Sequence, residues 1–243
     1  MYLCKSKYKY FNEMKFGVVV FPGSNCDHDM MYVLGAIEKQ EVVKLWHKDS
    51  DLQGCDMIVL PGGFSYGDYL RSGAIAKLSP IMRSVADFAN KGGLVLGVCN
   101  GFQILCESGL LEGTLLHNTN RKFICKNHYI LPQTNSTIFT KDVSLTKAIN
   151  IPIAHGEGRY FAYEDTIKKL NDNEQILFRY CNEEGKIDAE FNPNGSIDNI
   201  AGITNKTKNV FGMMPHPERA ADKELANTDG KALFDSIINN FGK

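Results

Sequence analysis

The sequence has 243 residues, 43% of them hydrophobic and 23% charged, with 27 Lys and Arg against 28 Asp and Glu. At about 150 residues per domain that is one large domain or two small ones, with too much apolar content for wholesale disorder. The net charge of −1 argues against a nucleic-acid or anionic-membrane partner, and no apolar run nears the roughly 18 residues of a membrane helix. The chain opens on a Lys- and Tyr-rich stretch, residues 1–13, with Lys5, Lys7 and Lys9 against Glu13. It is read as an extension outside the fold, with a single domain over 14–243. Lys15–Phe21 is a near-continuous Val-rich run, the pattern of a strand buried on both faces. Pro22 to Asn25 break it, and Ser24 or Asn25 is placed to cap a helix whose Met30, Val33, Leu34 and Ile37 share one face. Val42–Trp46 and Met57–Leu60 read as two further buried strands. Ser79-Pro80 is a helix start, Ile81, Val85 and Phe88 make its stripe, and Gly92-Gly93 closes it. Leu94–Val98 is again a buried strand, and Asn100 to Ser108 is a helix stopped by Gly109.

Strand and helix thus alternate over 15–109, which predicts an α/β fold: a doubly wound, mostly parallel sheet with flanking helices. The second half reads as additional strands, some antiparallel, at Phe123–Leu131, Ile138–Thr140, Gln175–Cys181, Ile200–Thr204 and Val210–Met213. Asn192-Pro193-Asn194-Gly195 is a turn signal. A closing helix over Asp229–Phe241 carries Leu233, Phe234, Ile237, Ile238 and Phe241 on one side. The seven cysteines run from Cys4 to Cys181 without a CxxC pair. That argues against a disulfide framework and a Cys-rich zinc site, and for a cytoplasmic protein. Asn135, Asn194 and Asn205 then head glycosylation triplets by chance.

One cysteine stands apart. Gly97-Val98-Cys99-Asn100-Gly101 is G-x-C-x-G at a strand-to-helix junction, the cysteine form of a nucleophile elbow. Side chains at the two glycines would collide in so sharp a turn. The turn presents the thiol at the carboxyl end of the sheet, over the positive end of a helix dipole. Cys55 and Cys106 lack such a bracket and are read as structural. A thiol that transfers acyl groups needs an imidazole. Of six histidines, His216 lies in a self-explaining setting, Met214-Pro215-His216-Pro217-Glu218-Arg219. Flanking prolines are expected to hold it extended, so that Glu218 two residues on lies beside it and fixes its tautomer. Donors for an oxyanion are expected from the backbone N–H of Asn100 and from the loop Leu60-Pro61-Gly62-Gly63-Phe64.

GVCNG, PHPE and PGGFSYGDYLRSGAIA together resemble the class I (triad) glutamine amidotransferases. FPGSNCDHD, AHGEGR, NPNGS with NIAGI, and MMPHPER narrow the likeness to the glutaminase subunits of phosphoribosylformylglycinamidine synthases. It covers about residues 14–242. The resemblance implies a flavodoxin-like fold with Cys99 as nucleophile, His216 as acid and base, and Glu218 as its partner. It further implies that Gly63 and Asn100 donate to the oxyanion and that Gln103 lies near bound glutamine. The implied activity is glutamine hydrolysis to glutamate and ammonia through a γ-glutamyl thioester. The implied partners are an ATP-using synthetase subunit of that synthase and a small third subunit, with no nucleic acid and no membrane. Neither GxxxxGK[ST] nor GxGxxG is present, so ATP and magnesium are expected on the synthetase and no cofactor in this chain.

His155-Gly156-Glu157 matches the H-x-E of zinc deaminases, but the required P-C-x-x-C is absent, so no metal site is expected. His155 is read as a substrate contact or as a residue that orders its loop. Arg71 and Arg159 are equally readable as facing the synthetase or binding anionic groups, or as solvated. Two other readings compete. A peptidase-like or chaperone-like cysteine protein of the same fold would place His after the nucleophile, where Asn100 stands. An inactive regulatory subunit would have lost one of Cys99, His216 and Glu218.

Overall fold

The computed structural model describes residues 13–242. The extension read over 1–13 lies outside the described residues except for Glu13, which is exposed. Five strands run parallel: β1 (Lys15–Val20), β2 (Glu41–Trp46), β3 (Met57–Leu60), β4 (Leu94–Val98) and, from the far end of the chain, a strand at Val210–Met213. Between them lie β5 (Thr114–Leu116), β6 (Ile124–Pro132), β7 (Ile149–His155), β8 (Arg159–Phe161), β9 (Ile176–Cys181) and β10 (Ile200–Thr204), so that Val210–Met213 is β11. Nine strands form one sheet in the order β2-β1-β3-β4-β11-β10-β9-β6-β7, parallel as far as β11 and antiparallel beyond it. β5 and β8 make a separate antiparallel pair.

The helices are α1 (Asp27–Tyr32), α2 (Pro80–Asn90), α3 (Asn100–Glu107), α4 (Glu164–Asp172) and α5 (Lys231–Asn240). α1 packs on β1, α2 on β4, and α3 across β3, β4 and β11. β3 is fully buried along its length and β4 nearly so, which is why both are unbroken apolar runs. α2 starts at Pro80 and buries Ile81, Met82, Val85 and Ala89. α5 starts at Lys231, two residues later than expected, and buries Leu233, Phe234, Ile237 and Ile238.

Several expectations are corrected. Ser24 and Asn25 do not cap α1, whose N-cap is Cys26. Ser24 instead clasps the preceding turn, its Oγ accepting from the Phe21 N–H at 3.0 Å. β2 is the sheet edge rather than a buried strand, and only Leu45 in it is fully covered. No helix joins β2 to β3, so the strand–helix alternation is broken there. Ile138–Thr140 is a turn. Hydroxyls compete with strand pairing: Thr137 Oγ1 bonds Thr140 Oγ1 at 2.9 Å and the Thr140 N–H donates to the Thr137 carbonyl at 3.1 Å, the local alternative that threonines offer the backbone. Phe139 is still buried, tilted against Phe211.

Candidate active site

The parallel strands bring the predicted residues together at their carboxyl ends. β4 lies between β3 and β11, with Val98 paired to Met213 and Gly97 to Leu60. One residue past β4 is Cys99, past β3 is the Pro61-Gly62-Gly63 turn, and past β11 are Met214, Pro215 and His216. The Cys99 N–H donates to the Met213 carbonyl at 2.7 Å, tying the two strand ends. Cys99 sits at φ 50°, ψ −105°, a left-handed backbone for a non-glycine residue that costs about 1–3 kcal/mol and recurs at functional sites. α3 begins at the next residue, so its N-terminus faces the sulfur.

The glycines of the elbow are dictated by contact. A Cβ on Gly101 would stand 1.9 Å from the Leu60 carbonyl oxygen, and one on Gly97 would meet the Gly101 carbonyl at 2.7 Å. Gly62 is dictated by a neighbouring ring. Its missing Cβ makes room for the His216 ring, whose Cε1 would otherwise be 2.7 Å away, and for Cys26 Sγ at 3.0 Å. Gly63 takes φ +142° and passes so near Ser24 and Asn25 that a side chain would strike their backbone.

His216 and Glu218 are buried, and His216 Nδ1 donates to Glu218 Oε1 at 2.7 Å. The expected pairing of i with i+2 is present, but the chain there is not extended. Pro217–Ala220 is a 3-10 turn, and the turn folds the carboxylate back to the ring. Burial alone would lower the His216 pKa; the Glu218 carboxylate and the nearby sulfurs of Cys99 and Cys26 outweigh it and hold the imidazole well above its ordinary value. With Nδ1 committed to Glu218 and the Cys99 and Cys26 sulfurs in hydrogen-bonding reach of the ring, Nε2 is available for proton transfer next to Cys99. Burial raises the Cys55 thiol to about 11 and pushes Cys106 higher still, as inert structural cysteines require. All six described cysteines are free.

A cleft of about 180 Å³ opens on Cys99 and is lined by Gly63, Gln103 and His155 among others. Gly62 and Asn100 are not in its lining. The buried Asn100 side chain holds the site from below: Oδ1 accepts from the Ser65 N–H at 3.1 Å and Nδ2 donates to Gln103 Oε1 at 2.9 Å. Gln103 in turn donates to the Glu157 carbonyl at 2.7 Å. His155 ends β7 with its pKa lowered to about 4, by burial first and then by His216. Its Nδ1 lies 3.2 Å from Asn118 Oδ1, an acceptor that also takes the Gly158 N–H. The ring proton is therefore on Nδ1 and Nε2 is a lone pair without a partner. Arg71 pairs with Glu107 at 2.8 Å and Arg159 donates to the His117 carbonyl at 3.0 Å, so both have partners within the chain.

Sequence reading missed Cys26, which sits against His216 and receives Arg219 Nη2 at 3.2 Å. It also missed Asp68, Ser72, Arg121 and Lys122 in the cleft lining. Among the described residues, Cys26, His216 and Glu218 set donor atoms within 4.8 Å of one another. A Glu218 oxygen is already engaged by His216, and that set fits proton transfer rather than an ion. No helix among the described residues is long and apolar enough to cross a membrane.

Residues 13–235 match the family model of the CobB/CobQ-like glutamine amidotransferase domain. The chain is 55% identical over 230 residues to the phosphoribosylformylglycinamidine synthase subunit PurQ of Koribacter versatilis, covering 95% of this chain and 100% of that one. It is 57% identical over 219 residues to the PurQ protein of a Synechocystis strain, covering 90% and 98%. Among solved structures, PurLQS from Thermotoga maritima aligns with a TM-score of 0.82 at 43% identity, over 93% of this chain and 98% of that one. A glutamine amidotransferase from Thermotoga maritima, 14% identical, shares the fold with a TM-score of 0.53 over 93% and 91%.

Proposed function

Because the chain belongs to the CobB/CobQ-like glutamine amidotransferase domain family, we propose that Cys99, His216 and Glu218 form its catalytic triad. The chain is the glutaminase subunit of a phosphoribosylformylglycinamidine synthase. Its ammonia goes to the synthetase subunit, which uses it to convert formylglycinamide ribonucleotide to the amidine; a small third subunit completes the complex. ATP and magnesium belong to the synthetase, and the assembly works in the cytoplasm.

The observation that carries the triad is the buried 2.7 Å His216–Glu218 pair beside a cysteine at the strained elbow. The raised imidazole holds its proton and leaves the adjacent sulfur to act as the nucleophile. Sulfur attacks the side-chain amide carbon of glutamine, and the carbonyl oxygen takes the negative charge. The backbone N–H groups of Asn100 and Gly63 receive that oxyanion. His216 passes its proton to the amide nitrogen, the C–N bond breaks and ammonia leaves, with a γ-glutamyl thioester on Cys99. Water then gives a proton to His216 and attacks the thioester, the C–S bond breaks, and glutamate departs.

The site is also built for docking. The loop beside the cleft carries positive φ at Tyr66, Asp68 and Leu70, and Tyr69 and Leu70 are 73% and 93% exposed. Strain and exposed apolar surface together mark a segment that a partner settles. The test compares glutamine hydrolysis by the isolated chain with that by the complex supplied with ATP and the ribonucleotide. A slow reaction alone and at least a tenfold rise in the complex are expected. Equal rates would show that the site needs no partner.

A further inference from the structure

The acyl-transfer steps use Cys99 and leave a second buried thiol beside His216 without a task. Cys26 stands just before α1, is 3% exposed and is not in the lining of the Cys99 cleft. Cys55 packs within the apolar core, but Cys26 does not join that core. Its neighbours are polar. Sγ donates to Asn25 Oδ1 at 3.1 Å and receives Arg219 Nη2 at 3.2 Å. The His216 ring lies within hydrogen-bonding reach of the same sulfur. A thiol has one proton and a weakly accepting sulfur. With the proton spent on Asn25, the sulfur meets Arg219 and His216 as an acceptor.

The surroundings hold the sulfur there. The Cys26 N–H donates to the Gly62 carbonyl at 3.3 Å. A Cβ on Gly62 would lie 3.0 Å from Cys26 Sγ and 2.7 Å from His216 Cε1, so sulfur and ring share the space that this glycine leaves open. Arg219 follows His216 in the same turn, and its Nε pairs with Asp29 Oδ2 of α1 at 3.1 Å. That pair keeps the guanidinium against the sulfur.

His216 needs this support. Glu218 holds the ring through one oxygen, and its Oε2 has no hydrogen-bond partner among the described residues. The titratable and charged groups around the ring are Glu218 and Arg219 from its own turn, Cys99 from the elbow, Cys26 and Asp29 at α1, and His155 from β7. Arg219 is engaged by Asp29, and His155, its pKa lowered to about 4, is neutral. Glu218, Cys99 and Cys26 are the groups that favour a charged ring. Cys99 ceases to do so once its sulfur is acylated, whereas Cys26 is unchanged through the cycle.

We propose that Cys26 is a positioning residue for the acyl-transfer reaction, its sulfur holding the His216 imidazolium in place, above all while Cys99 carries the acyl group. This rests on the reading of the Cys99 cleft as a glutaminase site.

The experiment follows glutamine hydrolysis against pH in the assembled three-subunit complex, supplied with ATP and the ribonucleotide, for wild type, Cys26→Ser and Cys26→Val. Serine keeps a donor and an acceptor, while valine keeps the bulk and loses both. Losing the acceptor disfavours the imidazolium, so the alkaline limb of kcat/KM, where the ring gives up its proton, moves to lower pH. Cys26→Val is expected to move that limb down by about half a unit or more and to lower kcat about tenfold, with KM within about twofold of wild type. Cys26→Ser is expected to keep the limb within about 0.2 unit and kcat within about threefold. A packing role would reverse the order, because valine fills the space better. Thermal unfolding and co-elution with the synthetase show which variants assemble, and either one that does carries the test. Cys26→Val with the wild-type limb and kcat, Cys26→Ser as impaired as expected for Cys26→Val, or assembly by neither variant would overturn the proposal. Wild type inert toward glutamine would instead overturn the glutaminase reading.

Discussion

Cys99→Ala is expected to abolish glutamine-dependent amidine formation by the complex, with a loss of roughly 10⁴-fold or more, while activity with high ammonium survives. The size follows from the site. No other thiol takes the elbow position, and Cys26, the other sulfur beside His216, is wedged between Arg219 and Asn25. Without the sulfur there is no thioester, and the oxyanion donors and His216 have only water to work with. Loss of a covalent nucleophile in comparable triads costs on this scale, about 5 kcal/mol or more of transition-state stabilisation. Survival with ammonium is expected because that chemistry lies on the synthetase and needs only the docked shape of this chain. Steady-state assays with each nitrogen source check it. Retained glutamine-dependent turnover would remove Cys99 from the mechanism.

The second large effect is on the fold. Gly101→Ala is expected to destabilise the chain by about 3–5 kcal/mol, a large share of the 5–15 kcal/mol that holds a domain together. The added Cβ would lie 1.9 Å from the Leu60 carbonyl oxygen, a backbone atom that no rotamer change can move. α3 must lift from β3, and with it the elbow and the turn carrying Gly62 and Gly63. Overpacking a core side chain costs about 1–3 kcal/mol, and a clash between two backbones exceeds that. Gly97→Ala is expected to cost less, because its backbone obstacle, the Gly101 carbonyl, stands at 2.7 Å rather than 1.9 Å and its other close neighbour, Leu105 Cδ1 at 2.5 Å, ends a flexible side chain. Urea unfolding of the purified chain measures both. A Gly101→Ala protein within about 1 kcal/mol of wild type would contradict this view of the elbow.

What the sequence makes legible depends on where burial is local and where it is not. β1, β3 and β4 were legible because strands covered on both faces must be apolar throughout. α4 was missed because it is mostly polar and charged, with only Leu170 buried, so that few apolar residues mark its inner face. β7 was missed because Pro152 interrupts it; buried and half-buried residues alternate along it, as at an edge strand that tolerates proline. Within the site, the spacing of His216 and Glu218 pointed to their pairing although a turn, not extended chain, brings it about. The role of Gly62 was out of reach, since it depends on a ring 154 residues away in the chain that only the β4–β11 pairing delivers. The place of Cys26 was hidden for the same reason: Cys26 and Arg219 are 193 residues apart and meet only in the folded chain.

The central claim is that acyl transfer passes through Cys99. The most direct measurement is mass spectrometry of the complex quenched in acid during turnover of glutamine, with peptide mapping of every cysteine. A γ-glutamyl adduct on the Cys99 peptide, absent from the Cys26 peptide and lost in Cys99→Ala, is the predicted result. Rapid turnover with no adduct on Cys99, or an adduct on Cys26, would contradict it.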